Sequence, residues 1–237
     1  MMPKKVAIMQ PYFLPYLGYF QLLKLVDEFV IYDNIQFSKS GWFHRNRILE
    51  HNSIKYITLP LQKDSDFLNV NERCLATNFD IQRVKLLSRV KNAYHKAPYF
   101  GAVYPLIEAI LFFDSHNLFD FTLNSIQKLC DYLAIDCTIT VSSQVAVNHD
   151  LRGQDKVLAI CKAVNGTVYV NPEGGIDLYS QSEFASNGIG LQFLTFKPQK
   201  YSQFSSSFQS HLSILDVMMH NSVQTIQTFL SDDYELK

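Results

Sequence analysis

The stretch Ile8-Met-Gln-Pro-Tyr-Phe-Leu-Pro-Tyr-Leu-Gly-Tyr-Phe20, continued by Asp27-Glu-Phe-Val-Ile-Tyr-Asp33 and Trp42-Phe-His-Arg-Asn-Arg47, decides the fold class of this chain. Val6–Met9 is a short apolar run that reads as a buried strand, and Pro11 and Pro15 break the backbone into a loop. Tyr19–Glu28 then reads as a helix, with Phe20, Leu23 and Val26 on one face, and Phe29–Tyr32 as a second buried strand. Strand, loop, helix, strand is the order in which α/β proteins present a ligand at the carboxyl ends of parallel strands. The polar and aromatic residues of the stretch fall where that arrangement places chemistry.

Outward from this opening, the pattern keeps alternating. Ile54–Leu59 reads as a strand stopped by Pro60, and 63–79 as a polar, exposed segment. Three helical patterns follow, at 81–94, 99–113 and 118–133, the last with Asn117 as N-cap. Strands at 138–141, 167–171 and 189–196 then alternate with helices at 154–164 and 181–186, and helices around 212–219 and 223–230 close the chain. Helix-separated strands of this kind predict a mostly parallel sheet. With no linker or repeat, 1–237 reads as a single α/β domain with a helical insertion at about 80–134.

Composition narrows the function classes. The chain has 237 residues, 47% of them hydrophobic, which supports a large core and argues against disorder. Twenty-one Lys and Arg against 22 Asp and Glu give a formal charge of −1, which argues against a broad nucleic-acid surface. That balance leaves room for a local anion site. Cys74, Cys130, Cys137 and Cys161 make neither a CxxC pair nor a metal-ligand spacing, so no metal site and no cofactor is expected. Neither a signal-peptide segment nor a membrane span is legible, and the expected setting is the reducing cytoplasm.

The candidate site residues follow the strands. Gln10 stands at the end of the first strand with an amide able to bond a ligand or to cap the loop. Tyr16, Gly18 and Tyr19 open the next helix, where free N–H groups and the helix dipole favour an anion. Asp33 ends the second strand as a candidate base, although Asp33-Asn34 is also a favoured turn pair. In the cluster 42–47, extended backbone puts His44 and Asn46 on one face and Arg45 and Arg47 on the other. His44 would carry a proton near neutral pH, and the arginine forks suit pyrophosphate. Trp42, the only tryptophan, offers a stacking surface. Lys156, early in a helix after a strand, completes the substrate-binding set, with Asp33, His44 and Asn46 as the catalytic candidates. Two weaker signals are Asn171-Pro-Glu-Gly-Gly175, which lacks the GxGxxG and P-loop patterns, and His211, one turn before Leu215.

The opening motif, together with Tyr94-His-Lys-Ala-Pro-Tyr-Phe100, Asp155-Lys-Val-Leu158, Tyr201-Ser-Gln203 and Leu212-Ser-Ile-Leu-Asp216, resembles the WbqC-like family over essentially the whole chain. Tyr16 stands where that family commonly has Trp, and His44 where it commonly has Asn. Members are typically encoded among genes for O-antigen and other surface polysaccharides, so the resemblance implies work in lipopolysaccharide or related biosynthesis on nucleotide-linked sugars. The layout is also similar to the HIGH-type opening of nucleotidyltransferases, a Rossmann-like arrangement, with Tyr16 and Tyr19 at the two phosphate-binding His positions.

Three functions follow as expectations. The first is a transferase that adds an acyl or aminoacyl group to the amine of a nucleotide-linked sugar, from an activated donor such as a charged tRNA. In it Arg45, Arg47, Lys156 and the helix after Gly18 serve the phosphates, Tyr16, Tyr19 and Trp42 the base, and Asp33 or His44 the proton. The second is a nucleotidyltransferase, and the third a non-catalytic partner in polysaccharide assembly.

Overall fold

The computed structural model describes residues 3–237. Strand β1 (Lys5–Met9) leads through the Pro11–Pro15 loop into helix α1 (Leu17–Leu25) and back to strand β2 (Glu28–Ile31), parallel to β1 with Val6 opposite Glu28 and Met9 opposite Ile31. The chain then leaves the sheet. It forms an antiparallel hairpin of β3 (Arg45–Glu50) and β4 (Ser53–Thr58), followed by helices α2 (Phe79–Tyr94), α3 (Phe100–Leu111) and α4 (Leu118–Tyr132). It returns as β5 (Thr138–Val141), α5 (Gly153–Ala163), β6 (Val168–Pro172), α6 (Gln181–Ser186) and β7 (Gly190–Phe196). Helices α7 (Ile214–His220) and α8 (Val223–Asp232) and a short strand β8 (Tyr234–Leu236) end it.

The six-stranded sheet runs β5-β2-β1-β6-β7-β8, parallel except for the antiparallel β8 at one edge. The strands are apolar on both sides because both sides are covered. Ala7, Phe29 and Ile31 pack with α1, α7, α8 and the inserted helices. Val6, Ile8, Val30 and Tyr169 pack with Val157 and Ile160 of α5 and Phe184 of α6. The sheet order also reverses in the middle. From β1 the chain first adds β2 and then β5 on one side, and afterwards β6 and β7 on the other. In a sheet of this order the helices leave a crevice beyond the carboxyl ends of the two strands at the reversal, here β1 and β6.

Two sequence expectations are corrected, and one further strand is added. The strand at 54–59 does not join the central sheet; it pairs with β3 in a hairpin of its own, because its outer face is exposed and only Ile57 and Leu59 turn inward. The excursion between β2 and β5 therefore carries a hairpin as well as helices. The segment 63–79 is not simply exposed, since Val70, Arg73 and Leu75 are buried and Asn69 and Glu72 cap each other around a single 3-10 turn. The closing β8, too short for a pattern, was not foreseen. The N-cap at Asn117 is as the sequence predicts, its Oδ1 accepting from the Phe119 and Asp120 amides. Among the described residues no helix is long and apolar enough to cross a membrane. Cys130 and Cys161 are buried thiols whose pKa burial pushes up to about 12, so neither is poised as a thiolate.

Candidate functional site

A cavity of about 570 Å³ opens beyond the carboxyl ends of β1, β2 and β6, at the sheet's reversal point. Five aromatic rings, Tyr12, Tyr16, Tyr32, Trp42 and Tyr179, line it together with Gln10, Asn46, Arg47, Asn171 and His211. It continues past Tyr32, Ile35 and Tyr179 into a second, more polar lobe of about 610 Å³ that holds Asn34, His149, Arg152 and Lys156.

The wall is assembled from three segments far apart in sequence. Asn46 on β3 is buried and donates from Nδ2 to the carbonyls of Phe13 (3.0 Å) and Leu14 (2.8 Å), while its Oδ1 accepts from the Arg47 amide (2.8 Å). Ser213, the N-cap of α7, donates its hydroxyl to the same Leu14 carbonyl (2.8 Å) and its amide to the Arg47 carbonyl (2.8 Å). Leu14 and His211 both adopt left-handed backbone, with φ of 44° and 58°, which a side chain adopts only when its surroundings impose it. Both such residues lie within this three-way junction.

Arg47 enters the aromatic lobe with capacity to spare. Its Nη2 donates to the His211 carbonyl (2.8 Å), and its guanidinium lies 5.4 Å from the centre of the Trp42 ring. Its Nε is enclosed without a partner, and no carboxylate pairs with it among the described residues. The enclosed Nε is shut off from the cavity, and the remaining Nη donors of the planar fork suit an incoming oxyanion or carbonyl. Burial and the Arg47 charge hold the His211 pKa below its usual value, so its imidazole is neutral near pH 7 and able to accept a proton. Burial pushes Tyr16 up to about 12, with a further contribution from Tyr12, which keeps the phenol protonated as a donor.

The remaining sequence candidates divide by placement. Gln10 lines the cavity, and its main-chain carbonyl accepts from the Tyr19 hydroxyl (3.0 Å). Tyr19 is fully buried in the core, ringed by Tyr12, Phe20 and Phe29. Gly18 does allow a close approach, but of protein. A Cβ there would come within 2.5 Å of the Tyr16 ring and 3.1 Å of Phe196, so these rings cover the start of α1. Arg45 is folded back onto the Ser40 (2.7 Å) and Gly41 (3.3 Å) carbonyls and over the Tyr56 ring, outside the cavity lining.

Asp33 and His44 are also placed elsewhere. Burial alone would raise the Asp33 pKa, but hydrogen bonds from Ser143, Ser142 and Asn71 outweigh it and hold the carboxylate below its usual range. Those bonds, from the Ser143 amide (2.9 Å), the Ser142 hydroxyl (2.9 Å) and the Asn71 amide group (2.9 Å), tie the end of β2 to the end of β5. His44 faces a different hollow, shared with Phe37, Lys39, Lys63 and Arg73. Burial, together with the charges of Arg45 and Arg73, lowers its pKa to about 4 and keeps the ring neutral.

Sequence reasoning left three contributors unassigned: Tyr12, Tyr32 and Tyr179, along with the weakly signalled His211 and 171–175 loop. Gly175 in that loop carries a strict requirement, because a Cβ there would lie 2.2 Å from Nδ2 of Asn171. Asn171 Oδ1 in turn accepts from the buried Tyr169 hydroxyl (3.0 Å). Conformationally free residues directly after a strand were the available signal for this loop.

Sheet order and cleft together define an α/β protein with a cleft of an aromatic and a polar lobe at the turning point of a mostly parallel sheet. The chain belongs to the WbqC-like protein family, which it matches over residues 10–228. It is similar to the uncharacterized protein Rv1507c of Mycobacterium tuberculosis (strain ATCC 25618 / H37Rv), with 28% identity over 223 residues, 92% of this chain and 94% of that one. No solved structure gives a significant match.

Proposed function

We propose that the protein is a group transferase of bacterial surface-polysaccharide (O-antigen) biosynthesis that acylates or aminoacylates the amine of a nucleotide-linked sugar. The observation that carries this reading is the aromatic cavity at the sheet reversal, lined by Arg47, which has no carboxylate partner among the described residues, beside a neutral His211. Rings of Tyr and Trp stack on a base or on the apolar face of a sugar, and phenols that stay protonated donate to its hydroxyls.

The chemistry is assigned by reach. The sugar amine attacks the donor's acyl carbon, a C–N bond forms, and the C–O or C–S bond to the donor breaks. His211 accepts the amine proton and returns it to the departing oxygen or sulfur, while Arg47 stabilises the oxyanion of the tetrahedral intermediate. An aminoacyl ester on tRNA satisfies the donor requirement, as does a thioester. A Rossmann-like, HIGH-type ancestry agrees with the strand order, but the nucleotidyl-transfer alternative is less well supported. It needs the Tyr16 and Tyr19 positions to face phosphates, and Tyr19 is buried with its hydroxyl on Gln10.

The test is incubation with a panel of amino-sugar nucleotides, with and without acyl thioesters and aminoacyl-tRNA, followed by mass spectrometry. A donor-dependent mass gain that disappears in Arg47→Ala supports the reading. Absence of any gain across the panel, with calorimetric binding unchanged in Arg47→Ala, rejects it.

A further inference from the structure

The sequence places the phosphate site at the start of α1, yet that helix end is closed by the rings of Tyr16 and Phe196. The other helix that opens on the cleft is α5. Its 11 residues begin after Arg152 with no side-chain cap, and no bond within the described residues takes the amides of Gly153, Gln154 or Asp155. Gly153, at φ 53°, has nothing within 4 Å of where a Cβ would stand, so the space above this helix end is open.

An independent feature marks the same place. Lys156 is only 8% exposed, yet no carboxylate forms an ion pair with it among the described residues. Its ammonium has one long hydrogen bond, to the His149 carbonyl (3.4 Å), and lies 5.4 Å from the centre of the Tyr32 ring. Burial lowers its pKa, and the charges of Asp33 and Asp150 offset that only in part. Asp33 is occupied by Asn71, Ser142 and Ser143, and Asp150 is exposed. An anion beside Lys156 would favour the charged form that burial disfavours.

A small polar network borders the same lobe. The Asn34 side chain lies 2.6 Å from the Ser142 hydroxyl, whose proton Asp33 accepts, and 3.0 Å from His149 Nδ1. The lobe thus gathers the Lys156 amine, the guanidinium of Arg152 and free helix amides around open space. Every one of these is a donor seeking an anion.

We propose that the polar lobe beside α5 is a phosphate subsite, in which Lys156, Arg152 and the amides of α5 hold the diphosphate of the ligand. The inference rests on the sugar-nucleotide reading above for the identity of the whole ligand. It extends that reading by orienting the molecule: diphosphate by α5, and the amine-bearing end in the aromatic lobe by Arg47 and His211.

The experiment is isothermal titration of the full chain with inorganic pyrophosphate and with uridine diphosphate. Wild type is compared with Arg152→Ala, an exposed position that leaves packing intact, and with Lys156→Met, which keeps the buried stem without its charge. Expected are binding of at least one probe to wild type and weakening by about tenfold in Arg152→Ala, with a larger loss in Lys156→Met. Equal uridine diphosphate binding by wild type and Arg152→Ala, or no binding of either probe to wild type, overturns the subsite. Phosphate binding that depends on Arg152, without any transfer product from the sugar-nucleotide panel, sinks the transferase reading and leaves the subsite standing. A transfer product with Arg152-independent binding does the reverse.

Discussion

Replacing Asn46 by Ala separates a structural clamp from a catalytic group. In the structure the side chain is 4% exposed and spends all three of its short contacts on protein backbone, at Phe13, Leu14 and Arg47. Removing it leaves the Leu14 carbonyl still served by Ser213, but strands the Phe13 carbonyl and the Arg47 amide. Two stranded buried groups at about 1–3 kcal/mol each, partly relieved by relaxation, give a loss of roughly 3 kcal/mol. For a chain of this size that lowers Tm by roughly 6–12 °C, readable by calorimetry or by the urea midpoint. Because Leu14 sits at φ 44° under two clamps, Asn46→Ala and Ser213→Ala should be non-additive, the double variant losing more than the sum. Ligand affinity should fall with stability, since Tyr12 and Tyr16 ride on the clamped loop. An Asn46→Ala protein with Tm unchanged within about 2 °C but no activity would refute the clamp and restore Asn46 as a chemical participant.

Other expectations can be checked with the same assays. Gly175→Ala should drive Asn171 off the Tyr169 hydroxyl, lowering stability by about 1–3 kcal/mol and weakening calorimetric binding of a nucleotide sugar; unaltered binding would show that the 171–175 loop is not part of the site. Asp33→Asn turns an acceptor of three donors into a group that itself donates, and should lower the urea-derived stability by about 2 kcal/mol while leaving turnover measurable. Full stability with abolished turnover would make Asp33 catalytic after all. His44 titrates at about 4 in the folded chain against 6.5 when unfolded, so between these values the unfolded chain binds the extra proton. Stability should therefore fall as pH drops through that window, and His44→Asn should flatten part of the fall in urea midpoints taken between about pH 7 and about pH 4.5. His211 and His220 are shifted in the same direction and contribute to the fall, as do the lowered carboxylates of Glu50 and Asp33 toward its acid end.

Much of this molecule is written locally. The alternation of apolar runs and helical stripes marks β1, β2, β5, β6, β7 and every helix, because burial on two faces of a parallel sheet imposes its pattern residue by residue. The same local logic puts Gln10, Tyr16, Trp42 and Arg47 near strand ends and helix starts, where the cavity does form. It failed where a residue's partners lie far along the chain. Asp33 reads as a free carboxylate until β5 brings Ser142 and Ser143 beside it, and Asn46 reads as a ligand group until Phe13 and Leu14 turn their carbonyls toward it. Gly18 reads as an opening for an anion until Phe196, from the far side of the sheet order, closes over it. Sequence by itself determined which segments are strands and helices and which polar residues end them, since these follow from short-range periodicity and backbone geometry. Only tertiary structure decided which of those polar groups were left with unused hydrogen-bonding capacity, because a donor or acceptor is free or spent according to neighbours that sequence distance does not predict. In this fold the spare capacity remains at Arg47, Lys156, Arg152 and the start of α5.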